Sequence, residues 1–149
     1  MAVSGGFLYN RARMASMRAK RQLISSEEYK NLTPERKAQI CNGAGAKDDW
    51  RNIFIPNTLW GLGCTPVFDI HDFDYSVGFT YEDKCKADAN MLVNLIRHIN
   101  NYGGFLRIAR RYRAMTYYDF VVEMGEDAFF QREKGNLHLH IDVLGKNYD

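Results

Sequence analysis

Residues 65–100 read TPVFDIHDFDYSVGFTYEDKCKADANMLVNLIRHIN. Thr65 before Pro66 is a cap-plus-proline signal, and Gly78 is placed to stop a helix in a left-handed conformation, so a helix is predicted over 66–77. Thr80 followed by Glu82 and Asp83 starts a second helix, running to about residue 101. Its stripe is Cys85, Asp88, Leu92, Leu95 and Ile99, broadened by Met91 and Ile96, which is the helical rather than the strand period. Two helices joined by so short a turn form an antiparallel hairpin.

Asp88 falls inside that apolar stripe, where an unpaired carboxylate costs several kcal/mol. Positions 71 and 88 are equidistant from the turn, which makes His71 the natural partner of Asp88. Tyr75, one turn along from His71 on the same face, can donate to the same carboxylate. Asp72 follows His71 by about 100° around the helix and points to a neighbouring face.

Upstream, Thr33-Pro34-Glu35 predicts a short helix over 34–40, ending at the small-residue segment Cys41-Asn42-Gly43-Ala44-Gly45-Ala46. The chain then reads as irregular through Trp50 and Pro56 to Gly61. Downstream, a long helical pattern runs from Ile108 through Met124, is interrupted at Gly125 and continues in Ala128, Phe129 and Phe130. Residues 137–143 alternate with period two, so a short strand carries His138, His140 and Asp142 on one face. The expected class is mainly α: an antiparallel helical hairpin bearing a His-Asp motif, additional helices and a small C-terminal β element, in one domain over 1–149.

The 149 residues carry a net charge of only +2, which excludes a polyelectrolyte built to wrap nucleic acid. No apolar run reaches the ~18 residues of a membrane span and no secretory h-region is present, so a cytoplasmic protein, or one delivered by a non-Sec route, is expected. Cys41, Cys64 and Cys85 lack CxxC spacing and read as buried thiols in a reducing compartment. Residues 1–24 are basic and free of acidic residues. Their composition also suits a mitochondrial presequence or a helix on an anionic membrane, although a solvated basic arm is the simpler reading. Arg110, Arg111 and Arg113 read as a solvated helix face, and His138 with His140 as two exposed histidines on a strand edge rather than a metal site.

A carboxylate that orients an imidazole, an imidazole that deprotonates water and a second carboxylate that holds a cation make up one known hydrolytic chemistry. Calcium prefers oxygen ligands, backbone carbonyls included, and Gly43 and Gly45 let a backbone turn its carbonyls inward without a Cβ clash. His71-Asp72-Phe73-Asp74-Tyr75, the small-residue segment from Cys41 to Gly45, and Lys86-Ala87-Asp88 together resemble the phospholipase A2 superfamily, in its compact prokaryotic and phage-type members. The resemblance covers about residues 40–100. It implies His71 as general base, Asp88 as its orienting carboxylate, Tyr75 as a donor to Asp88, and Asp72 as the side-chain Ca2+ ligand. The carbonyls of Cys41, Gly43 and Gly45 would complete the cage, with the Gly43 amide at the oxyanion.

Secreted members tie this loop to the catalytic helix with a disulfide; here Phe68 and Asn42 stand at those positions, so packing of Phe68 is expected to replace the tie. The implied activity is calcium-dependent hydrolysis of a glycerophospholipid ester. Leu59, Trp60, Leu62 and Phe73 are candidates to line the acyl channel, and the basic N-terminal segment and Trp50 to meet a phospholipid membrane surface. The competing reading is a noncatalytic phage, virion or interaction protein on the same scaffold. Nucleic acid is not an expected partner.

Overall fold

A computed structural model describes residues 20–41 and 57–131. In chain order it contains α1 (Glu27–Asn31), α2 (Pro34–Cys41), β1 (Thr58–Leu59), β2 (Leu62–Gly63), α3 (Thr65–Val77), α4 (Tyr81–Tyr102) and α5 (Arg107–Gln131). The class is mainly α with a small two-stranded antiparallel sheet. The 42–46 loop, Trp50, the 137–143 strand, His138 and His140 lie outside the described residues.

Thr33 starts α2 by accepting the Arg36 amide at 3.2 Å. Thr80 starts α4 with a full capping box: its hydroxyl accepts the Asp83 amide at 3.1 Å, and the Asp83 carboxylate accepts the Thr80 amide at 2.9 Å. The start of α3 is shifted by one residue from the expected cap. Cys64 is the N-cap without a side-chain bond, Thr65 is already helical, and Pro66 occupies the first turn.

Gly78 ends α3, but in extended backbone (φ −79°, ψ 148°), not the left-handed conformation expected. A Cβ there would lie 2.9 Å from the Phe129 ring and 3.1 Å from the Asp74 carbonyl, so glycine is needed for close approach. Downstream, α5 runs unbroken through Gly125, where an interruption was expected. The α4–α5 turn is made by Gly103 and Gly104 at φ +75° and +83°, a region that favours glycine.

The hairpin formed by β1 and β2, in a stretch expected to be irregular, pairs Thr58 with Gly63 and Leu59 with Leu62. Its two turn residues, Trp60 and Gly61, both have positive φ (48° and 76°), which matches the right-handed twist of a tight hairpin. The first of these positions normally takes Asn, Asp or Gly, and a bulky residue there costs about 1–2 kcal/mol. Arg110 holds the strained turn: its guanidinium donates to the Leu59 carbonyl at 3.1 Å and the Trp60 carbonyl at 3.0 Å, and stacks over Tyr102. Arg110 is therefore a buried clamp and not part of a solvated face.

Helix α4 is central, packing against α3 on one side and α5 on the other. Leu59, Leu62, Val67, Met91, Leu95, Ile99, Val121 and Phe129 belong to one core cluster. Each large side chain fully buried there contributes roughly 1.5–3 kcal/mol. Leu59 and Leu62 thus fill the core rather than line a channel, and buried Phe73 packs on Tyr29 with ring centroids 5.4 Å apart. The inward stripe of α4 is Lys84, Ala87, Asp88, Met91, Leu95 and Ile99; Cys85 faces solvent. Of the three thiols, only Cys64 is buried.

Residues 20–26 form no helix. They are strapped along α4 by two asparagines seven residues apart. Asn94 accepts the Ile24 amide at 2.7 Å and donates to its carbonyl at 2.8 Å, while Asn101 does the same for Arg21 at 3.0 and 2.8 Å.

Candidate active site

The turn between α3 and α4 sets His71 opposite Asp88, as the equidistance argument requires. His71 Nε2 lies 2.9 Å from Asp88 Oδ1, and the Tyr75 hydroxyl donates to that same oxygen at 2.6 Å. His71 and Tyr75 also stack, ring centroids 4.2 Å apart, as expected of residues one turn apart on one face. An ionised carboxylate only accepts, so in the neutral imidazole Nε2 carries the proton and Nδ1 presents its lone pair on the opposite edge of the ring. Among the described residues Nδ1 has no hydrogen-bond partner.

The remaining oxygen of Asp88 has a partner that the sequence reading missed. Lys84 Nζ donates to Oδ2 at 2.8 Å, and the two side chains are each only 2% exposed. The ammonium also reaches the Val122 carbonyl on α5 at 3.4 Å. Burial acts to raise the Asp88 carboxyl, but the bonds from His71, Lys84 and Tyr75 outweigh it and hold the group below the usual carboxylate range. Gly125 of α5 lies directly over this cluster. A Cβ at that position would stand 2.7 Å from the Tyr75 hydroxyl oxygen and 3.7 Å from Lys84 Cε. The signals were present: a lysine four residues before the aspartate, and a glycine inside a helical pattern.

Asp72 is half-buried on the neighbouring face of α3. Burial and the adjacent Asp72 charge both raise Asp69. Burial pushes Tyr29 up to about 12, with Cys41, Asp69 and Asp74 adding to the effect. Asp69 and Asp74 thus both act on Tyr29, and so does a cation already in place, Lys37 Nζ, 4.5 Å from its ring centroid.

Cys41 ends α2 here, its thiol donating to the Asp69 carbonyl at 3.2 Å, one turn before Asp72. That contact sets the C-terminal end of α2 against the helix that carries His71 and Asp72. The Phe68 ring also packs toward α5, 6.4 Å from Tyr117, and the loop it was expected to tie lies outside the described residues. The Asp72 carboxylate and the carbonyl of Cys41 have the donor chemistry that calcium accepts, and carbonyls at a helix C-terminus lack intrahelical partners. Gly43 and Gly45 lie outside the described residues. Among those described, no group of three or more His, Cys, Asp or Glu side chains gathers to hold a metal. A cage of one carboxylate and three carbonyls would contain only one such side chain.

Cys64 is not a nucleophile candidate, since burial pushes its thiol up to about 11. The described part of the chain is thus a mainly helical protein in which an antiparallel helix pair buries a His-Asp dyad closed by tyrosine and lysine. No family model, curated protein or solved structure matches the chain. No described helix is long and apolar enough to cross a membrane.

Proposed function

We propose that the protein is a phospholipase A2-like hydrolase that uses calcium to cleave a glycerophospholipid ester. The observation that carries this reading is the double acceptance at Asp88 Oδ1, from His71 Nε2 and the Tyr75 hydroxyl, which leaves His71 Nδ1 as a base. In this reading Nδ1 removes a proton from water as the oxygen attacks the ester carbonyl. Asp88 fixes the tautomer and faces the imidazolium that forms, and His71 then returns the proton to the leaving alkoxide. Asp72 and the carbonyls of Cys41, Gly43 and Gly45 would hold Ca2+, which when bound supplies charge stabilisation for the oxyanion beside the Gly43 amide.

The test compares three variants by vesicle hydrolysis and calcium-dependent thermal shift. His71→Gln should abolish hydrolysis and keep the calcium shift, because imidazole is not a ligand in this scheme. Asp72→Asn should lose both, and Asp88→Asn should keep calcium but lose rate. Hydrolysis that survives His71→Gln would place the chemistry elsewhere. A second reading, a noncatalytic scaffold, draws on Lys84, whose ammonium neutralises Asp88 as a purely structural ion cluster requires. It predicts a wild type with neither hydrolysis nor a calcium shift.

A further inference from the structure

The α4–α5 turn and the tip of the β1–β2 hairpin stand side by side, because Arg110 bonds the Trp60 carbonyl, reaches the Gly103 carbonyl at 3.4 Å and stacks on Tyr102. Both tips present large apolar side chains to solvent. Trp60 is 63% exposed and Phe105, just after the glycine pair, is 94% exposed. Ile108, Tyr112 and Met115 continue the exposed surface along α5. At 100° per residue, Ile108, Tyr112 and Met115 fall within an arc of roughly 60° on the side of α5 away from its buried residues Ala114, Tyr117 and Val121. Arg111 lies about 40° beyond Met115 around the helix, and exposed Arg107 about 40° further, toward the buried side.

Basic side chains predominate around this surface, with one exposed carboxylate, Asp119, a turn beyond Met115 on the same face. Residues 90–118 contain five arginines and no aspartate or glutamate. Asn101 docks the exposed Arg21 beside the same end of α4.

We propose that this end of the molecule docks on an anionic lipid bilayer, with Trp60 and Phe105 entering the interface and the first turns of α5 lying along it. Exposed aromatic and aliphatic residues with arginines nearby suit the boundary between headgroups and acyl chains. Two projecting tips need no complementary cavity in a fluid surface, and the strained Trp60 backbone keeps its side chain presented there. The patch lies about 20 Å along α4 from Asp88, so the docking surface is separate from the dyad. The proposal does not rest on the hydrolase reading, because binding is measured in chelator without turnover.

The experiment is co-sedimentation of the full chain with phosphatidylcholine vesicles, with and without phosphatidylglycerol, at low and high salt. Binding should require the anionic lipid and weaken with salt. Arg107→Ala should reduce it about fivefold. The Phe105→Ala, Ile108→Ala double variant should reduce it roughly tenfold or more, with an unchanged melting temperature because both side chains are exposed. Met124→Ala, exposed farther down α5, should bind as the wild type does. Absence of binding to anionic vesicles, or undiminished binding by the double variant, would overturn the proposal. So would self-association or single-stranded RNA binding that the same substitutions abolish while vesicle binding is lacking.

Discussion

Asp88 is 1% exposed and accepts three hydrogen bonds, so its charge is stabilised almost wholly by His71, Tyr75 and Lys84. Removing one charge of a buried pair leaves the other uncompensated, which typically costs about 3–5 kcal/mol. Lys84→Met, close in volume but uncharged, should therefore destabilise by about 3 kcal/mol or more in urea melts. Combining it with Asp88→Asn removes both charges and should recover part of the loss; strictly additive losses would show that the two residues are not coupled. The dyad was legible in the sequence because a carboxylate inside an apolar stripe demands a partner, and the turn position named His71. Lys84 was not, since a lysine four residues before an aspartate on a helix ordinarily reads as a solvated pair. Only the path of α5 over that turn buries it.

Helix α5 decides what covers the dyad, and Gly125 decides how closely it can do so. Alanine at a helix interior gains up to about 1 kcal/mol over glycine from propensity. Here that gain is opposed by a Cβ 2.7 Å from a Tyr75 oxygen that is itself bonded to Asp88. Overpacking of this kind costs about 1–3 kcal/mol, so steric conflict wins and Gly125→Ala should be net destabilising. Tyr75→Phe removes the obstructing oxygen, and Gly125→Ala made in that background should cost less than in the wild type. Equal cost in both backgrounds would mean that the conflict lies elsewhere.

The elements themselves were mostly legible, since Thr33 and Thr80 caps and the 3.6-residue period fix α2 and α4 nearly to the residue. The hairpin was hidden because Trp60 occupies a turn position that usually takes Asn, Asp or Gly. The continuity of α5 was hidden because Gly125 serves packing rather than chain reversal.

At the scale of the molecule, Asp72, Asp74 and Asp83 lie toward the α3–α4 turn with Lys84 and Lys86 among them, and the arginines lie toward the α4–α5 turn. This arrangement gives stability a two-sided dependence on pH. Burial pushes Asp74 up to about 6, against the opposing charges of His71 and Lys86. An acid whose folded value lies above its unfolded one binds more protons when folded, so stability attributable to Asp74 rises as pH falls from above 6 toward 4. Asp88 has the opposite sign: its folded value is depressed, so its contribution is present above about pH 4 and is lost as pH falls below that. Asp74→Asn removes the cost of ionising a partly buried carboxyl. In chelator, the variant should melt above the wild type at about pH 7.5, and the gap should close by about pH 5, where the wild-type group is already protonated. Thermal melts across that range decide it: an advantage of equal size at both ends would mean that packing, and not ionisation, sets the difference, whereas a gap that narrows with acidification assigns it to the Asp74 proton.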